Sequence, residues 1–345
     1  MKPAFRIHQP GLHTTVQDRG RFGFQRFGVP PSGALDIESL FIANALVGNA
    51  PYSPALEIRH LGPELSVQAD ALRIALAGTT TKLEVTRDDQ TQRISAYRSV
   101  TVCRGDVVRI PSLADSANAY LAVSGGIAAS RVMGSASTYV RGGFGGYQGR
   151  TLQNDDLVCT DGDATPTGPD LEFARAEPEQ TDTVRLVIGP QDDYFTEAAQ
   201  ATLFETTWQI SNDADRMGLR LIGPKLQHRR GYNIITDGIA TGTIQVPGSG
   251  QPIILLSDRQ TTGGYPKIAT VISSDLPSLG RARPGDAIGF EAVSLEEAIE
   301  IGRRRRARLE QLVAQICPLA AGPTLDPDAL ASENLVSGVW IPSED

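Results

Sequence analysis

The sequence predicts a mainly β protein with a few helices, folded as a barrel or sandwich and divided into two halves. Three observations carry that reading. Short runs of strand formers recur between turn residues, the pattern of barrels and sandwiches and not of alternating strands and helices. The chain has 345 residues, past the size that one hydrophobic core ordinarily fills. Gly-Asp or Asp-Asp steps recur at Gly105-Asp106, Asp155-Asp156 and Gly285-Asp286, each before an apolar run, a weak repeat that supports two similar halves.

Residues 15–36 form the first long loop. Asp18, Arg19, Arg21, Gln25 and Arg26 stand among Gly20, Gly23 and Gly28, and Pro30-Pro31-Ser32-Gly33 then forces a turn. The planar forks of Arg19 and Arg21 suit a carboxylate or phosphate, with Asp18 to orient one of them; a surface ion-pair cluster has the same composition. Asp36 reads as an N-cap, because Ile37, Leu40, Phe41, Ala45 and Leu46 share a helical face and Gly48-Asn49 end it; the alternative is a site carboxylate at the helix start. Short β runs follow at 55–58, 64–67, 72–77, 82–86, 99–103, 107–110 and 120–123.

Residues 138–150, TYVRGGFGGYQGR, interleave five glycines with Arg141, Tyr147 and Arg150, and fit either a lid or a plain linker. Residues 160–183 are nearly free of strand formers and mark a boundary. The expected organisation is a first half at 1–165, a linker at 166–182, a second half with a terminal helix at 183–317, and a tail at 318–345. In the second half, strands are expected at 184–188 and 208–210 with a short helix at 192–204 between them. Arg216 and Arg220 then sit four apart: in a turn, Arg216 faces a site while Met217 and Leu219 pack beneath it, and otherwise both arginines are solvated. Ser294 with Glu297 is a capping-box signature opening a helix that ends near Pro318, and in the tail 336–341 is apolar enough to dock.

The stretch richest in chemistry is 257–271, SDRQTTGGYPKIATV, a polar loop between apolar runs at 252–256 and 268–272. Gly263 and Gly264 leave backbone N–H groups open, Gln260, Thr261 and Thr262 offer donors and acceptors to a small polar ligand, and Tyr265 offers an aromatic wall. A solvated turn accounts for the same residues.

Composition excludes several classes. Charged residues at 21% and hydrophobic ones at 40% place the chain among soluble globular proteins. A net charge of −8 disfavours nucleic acid, and the basic run at 303–306 falls inside the predicted helix. No apolar stretch reaches signal-peptide or membrane-spanning length, so a cytoplasmic protein with no membrane partner is expected. Cys103, Cys159 and Cys317 are widely separated, as are the four histidines, which gives neither a disulfide framework nor a metal site. Neither a dinucleotide fingerprint nor a phosphate-binding P-loop occurs.

The segments TVQDRGRFGFQRFGVPPSGALD at 15–36, SNDADRMGLRLIG at 211–223 and the 257–271 loop together resemble the allophanate hydrolase subunit 2 family, also called KipA-like or the C component of 5-oxoprolinase. The resemblance implies two cyclophilin-like β-barrel halves. It also implies a KipI-like partner, a lactam-utilisation partner, and chemistry on a small amide. The favoured expectation is a subunit of an ATP-dependent 5-oxoprolinase that opens 5-oxoproline to L-glutamate, with ATP acting through the complex. Arg19, Arg21, Arg216 and Lys267 are then the expected catalytic cations, and Asp18, Ser32, Tyr147, Gln260, Thr261, Thr262, Gly263 and Tyr265 the expected substrate contacts. Similar domains occur in biotin-dependent urea carboxylases, but no Ala-Met-Lys-Met segment occurs here, so biotin would arrive on another polypeptide. A third expectation is a binding protein that sequesters a KipI-like kinase inhibitor.

Overall fold

A computed structural model describes residues 2–162, 164–173 and 183–319. The tail segment at 336–341 lies outside the described residues. Among them the chain is mainly β, with helices α1 Ile37–Leu46, α2 Glu197–Glu205, α3 Leu276–Arg281 and α4 Leu295–Val313.

The first half pairs two sheets over one core. One has six strands, in the order Leu157–Thr160, Lys2–Gln9, Glu64–Val67, Val107–Arg109, Leu83–Arg87 and Gln90–Ile94. The other has five, in the order His13–Gln17, Ala55–Arg59, Asn118–Val123, Ala71–Ala77 and Ser99–Cys103. Strands alternate their side chains between faces, so Leu56, Ile58, Ala119 and Leu121 enter the shared core. The residues between them turn the other way: Ala55, Tyr120 and Ala122 pack under α1. Both faces being covered, these central strands carry unbroken buried runs.

The second half closes into a barrel of Thr183–Ile188, Lys267–Val271, Thr243–Gln245, Ile253–Leu255, Gly218–Ile222, Trp208–Ile210 and Ala287–Ala292. Val184, Leu186, Ile244, Ile254, Ala269 and Phe290 fill its interior, and the indole of Trp208 donates to Leu203 O at 3.0 Å. The recurring Asp steps have a shared geometry. The carboxylates of Asp106, Asp156 and Asp286 each accept the backbone N–H three residues back, at 2.8, 2.7 and 2.8 Å, and each meets an arginine, Arg87, Arg150 or Arg283. Such a carboxylate closes the turn that feeds the next strand.

The halves meet along a buried polar seam. Arg216 donates to Asp258 at 2.8 and 3.2 Å, to Glu57, and to Gly33 O at 2.8 Å. Glu57 also accepts from Tyr120 Oη at 2.7 Å and from Leu35 N–H at 3.0 Å. Beside this network Asp36 caps α1 and pairs with Arg281 of α3, while Asn118 donates to Gly280 O. At Gly280 a Cβ would lie 2.6 Å from the Leu35 carbonyl, so the close approach of α3 requires glycine.

Helix α4 starts with the expected capping box at Ser294 and Glu297. Its first turns lie against the barrel strand Lys267–Val271, and its far end, through Leu309, Leu312, Val313 and Ile316, packs on the α1 cluster of the first half. Arg305 pairs with Glu38 at 2.6 Å. Below it Leu171–Glu172, inside the expected linker, pairs with Cys317–Pro318.

Candidate functional site

A cavity of about 360 Å³ opens where the barrel meets the glycine-rich loop of the first half. Met217, Gly218, Ile253 and Leu255 give it apolar lining, and Arg141, Asp213, Asp215, Arg220, Gln245 and Gln260 give it polar lining, with Tyr265 between. Small size, an apolar base and a few convergent polar groups are the marks of a small-molecule site.

Each polar group is set by the element that carries it. Arg220 points outward from the strand Gly218–Ile222, whose alternate residues Leu219 and Leu221 fill the barrel. Asp215 Oδ1 accepts the N–H groups of Met217 and Gly218 at 2.7 and 3.1 Å, which fixes the turn into that strand. Gln245, buried in its strand, donates to Tyr265 O at 3.4 Å and accepts from Gln260 Nε2 at 3.2 Å. The Gln260 carboxamide is thereby oriented, and its oxygen, without a hydrogen-bond partner among the described residues, can accept an amide N–H. The loop below it is braced by Arg259, whose buried guanidinium donates to Ile239 O at 2.9 Å; burial pushes that group down to about 10. Thr262–Gly263 then pairs with Asp237–Gly238, and at Gly263 a Cβ would lie 2.7 Å from Gln245 Nε2.

The residues singled out in the sequence fall into two groups. Gln260 and Tyr265 line the cavity, and Thr261, Thr262 and Gly263 continue the same loop. The others are placed elsewhere. Arg216 is 6% exposed and points away from the cavity into the seam, while Met217, expected to pack beneath it, is the residue that lines the cavity. Burial opposes the Arg216 charge, yet Asp258 and Glu57 outweigh it and hold the guanidinium above its ordinary value. Lys267 is 3% exposed and bound to Asp237 at 2.6 Å, so its ammonium is engaged within the barrel wall.

The start of the 15–36 loop packs on the first half, and its end, from Ser32 to Asp36, meets the second. Asp18 is buried, accepting from Ser135 Oγ and Ala136 N–H at 2.6 and 2.7 Å and from Ser137 Oγ. Arg21, 1% exposed, donates to Ser137 O and lies 5.0 Å above the Phe144 ring. Arg19 is exposed and stacks on Tyr52 at 5.3 Å. Ser32 is buried beside the second half, its N–H donating to Ser257 O at 3.1 Å. Tyr147 packs against the first core and its Oη accepts from Leu157 N–H at 3.2 Å.

Sequence reading left Arg141 and Arg220 unassigned and did not raise Asp213 and Gln245. Arg141 carried one signal, an arginine inside a glycine-rich loop. Among the described residues, the Arg141 and Arg220 guanidiniums and the Asp213 carboxylate have no hydrogen-bond or ion-pair partner. No group of three or more His, Cys, Asp or Glu among the described residues can hold a metal ion.

The family model described as carboxyltransferase domain, subdomain A and B, matches residues 27–292. The C component of the 5-oxoprolinase of Haemophilus influenzae is 36% identical over 298 residues, covering 86% of this chain and 94% of that protein. That of Escherichia coli is 36% identical over 315 residues, covering 89% and 97%. Among solved structures, the urea carboxylase of Kluyveromyces lactis superposes with a TM-score of 0.82 at 29% identity, over 93% of this chain and 30% of that one, so this chain spans less than a third of that enzyme.

Proposed function

Since the chain belongs to the carboxyltransferase-domain family of subdomains A and B, we propose that it is the amide-binding subunit of an ATP-dependent 5-oxoprolinase complex, which opens 5-oxoproline to L-glutamate. The similarity to two proteins named as the C component of 5-oxoprolinase, each over nearly its full length, carries this reading. The cavity suits its substrate: Gln260 accepts the lactam N–H, Arg220 donates toward the carbonyl oxygen where negative charge grows as water adds, and Asp213 offers a further acceptor. ATP supplies the driving force for an unfavourable ring opening, and its binding belongs to the partner subunits, a KipI-like protein and a lactam-utilisation protein.

The test is reconstitution. The three polypeptides, co-expressed, are expected to release glutamate and ADP from 5-oxoproline, and omission of this chain to abolish it. Urea-dependent consumption of bicarbonate with a biotinylated carrier would instead establish carboxyl transfer, the reading that the likeness to urea carboxylase favours. A stable pair with the KipI-like protein and no turnover of either substrate would leave sequestration.

A further inference from the structure

We propose, resting on that reading of the cavity, that Arg141 is its specificity-determining residue and that it selects small amides bearing a carboxylate over neutral ones. The other cavity-lining residues come from 213–265; Arg141 alone is contributed by the first half. It therefore approaches the ligand from a side that Gln260 and Arg220 do not occupy.

The loop is built to hold it there. Val140–Gly142 is a single tight turn closed by Gly143 at φ 65°, and it is clamped by Tyr139 and Phe144, whose rings meet edge-on at 5.5 Å. Tyr139 N–H donates to Phe144 O at 2.9 Å. A side chain at Gly142 would lie 2.5 Å from the Tyr139 ring and 2.6 Å from the Phe144 ring, so the clamp excludes one. The buried Arg21 guanidinium braces Phe144 from beneath.

Charge decides what such a group receives. Arg73, Arg216 and Arg281 are bound to carboxylates, whereas the exposed Arg141 has no partner among the described residues. A guanidinium fork matches a carboxylate with two parallel N–H···O bonds; urea or a simple lactam offers it one neutral oxygen. The clamped turn fixes the backbone that carries the fork, which reduces the ordering cost on binding.

The test is a ligand-observed NMR titration of the full chain with 5-oxoproline, its carboxamide and 2-pyrrolidinone. Wild type is expected to bind 5-oxoproline about tenfold to a hundredfold more tightly than the two neutral lactams. Arg141→Gln should erase that preference by weakening 5-oxoproline about tenfold to a hundredfold, and Arg141→Lys should restore part of it. Equal affinities in wild type, a preference that survives Arg141→Gln, or no binding of any lactam would overturn the proposal. Turnover by the reconstituted complex is a separate readout: a carboxylate preference without ATP-dependent ring opening refutes the oxoprolinase reading and leaves the role of Arg141 standing.

Discussion

His13 lies opposite Arg59 on the strand pair beside the seam, half buried. Burial, then the nearby Arg216 charge, holds its imidazolium below the ordinary value, and His60 is lowered for the same first reason. The unfolded chain therefore binds protons that the folded chain resists. The associated stability is complete above the unfolded value of about 6.5 and declines as pH falls through that value toward the lower folded one. Melting temperatures measured from about pH 8 down to pH 5 should fall less steeply for His13→Gln than for wild type; identical slopes would refute the assignment. Arg216 poses the opposite problem, a cation that two buried carboxylates need. Arg216→Met leaves Asp258 desolvated without its cation and Glu57 with only the Tyr120 hydroxyl and the Leu35 N–H, at a cost of about 3–5 kcal/mol in denaturant unfolding. Replacing all three by apolar residues of similar volume should recover most of that loss, and a cost under about 1 kcal/mol for Arg216→Met would show the network to be incidental.

Among the elements, α4 is the most separable. Its Ser294 Oγ accepts Glu297 N–H at 3.2 Å while the Glu297 carboxylate receives Ser294 N–H at 2.8 Å. Ser294→Ala should lower stability by about 1 kcal/mol, and an unchanged unfolding midpoint would mean that the helix start contributes nothing. That cap was legible in the sequence, as was Asp36 on α1, because each partner lies three residues away or fewer. The strands with apolar alternation were legible for a similar reason. The edge strand Gln90–Ile94 was not: four of its five residues are exposed and polar, so it leaves no periodic trace. The site motifs pose a harder case. Glu57 and Asp258 meet Arg216 across 159 and 42 residues, and a reading of neighbours in sequence cannot tell an arginine aimed at a ligand from one aimed at a distant carboxylate. Gln260 was accessible because its glycine-flanked loop needs no remote partner to be recognised as a loop.

At the scale of the molecule, family membership and the mainly β architecture are what the sequence disclosed most fully, since long ordered segments carry them. The placement of the cavity depends on how two halves dock, which no local pattern encodes. That docking has a mechanical consequence. The halves are held by the Arg216 network, by α4 reaching from the barrel to the α1 cluster, and by the Leu171–Glu172 pairing with Cys317–Pro318. Covalent continuity between 173 and 183 then only raises the effective concentration of one half near the other. Residues 1–173 and 183–345 produced as two polypeptides in one cell should reassemble and elute as a single one-to-one particle at the size of the intact chain. Fragments that elute separately would assign the union of the halves to the peptide between them, and a reassembled particle would make this protein a natural scaffold for a split reporter.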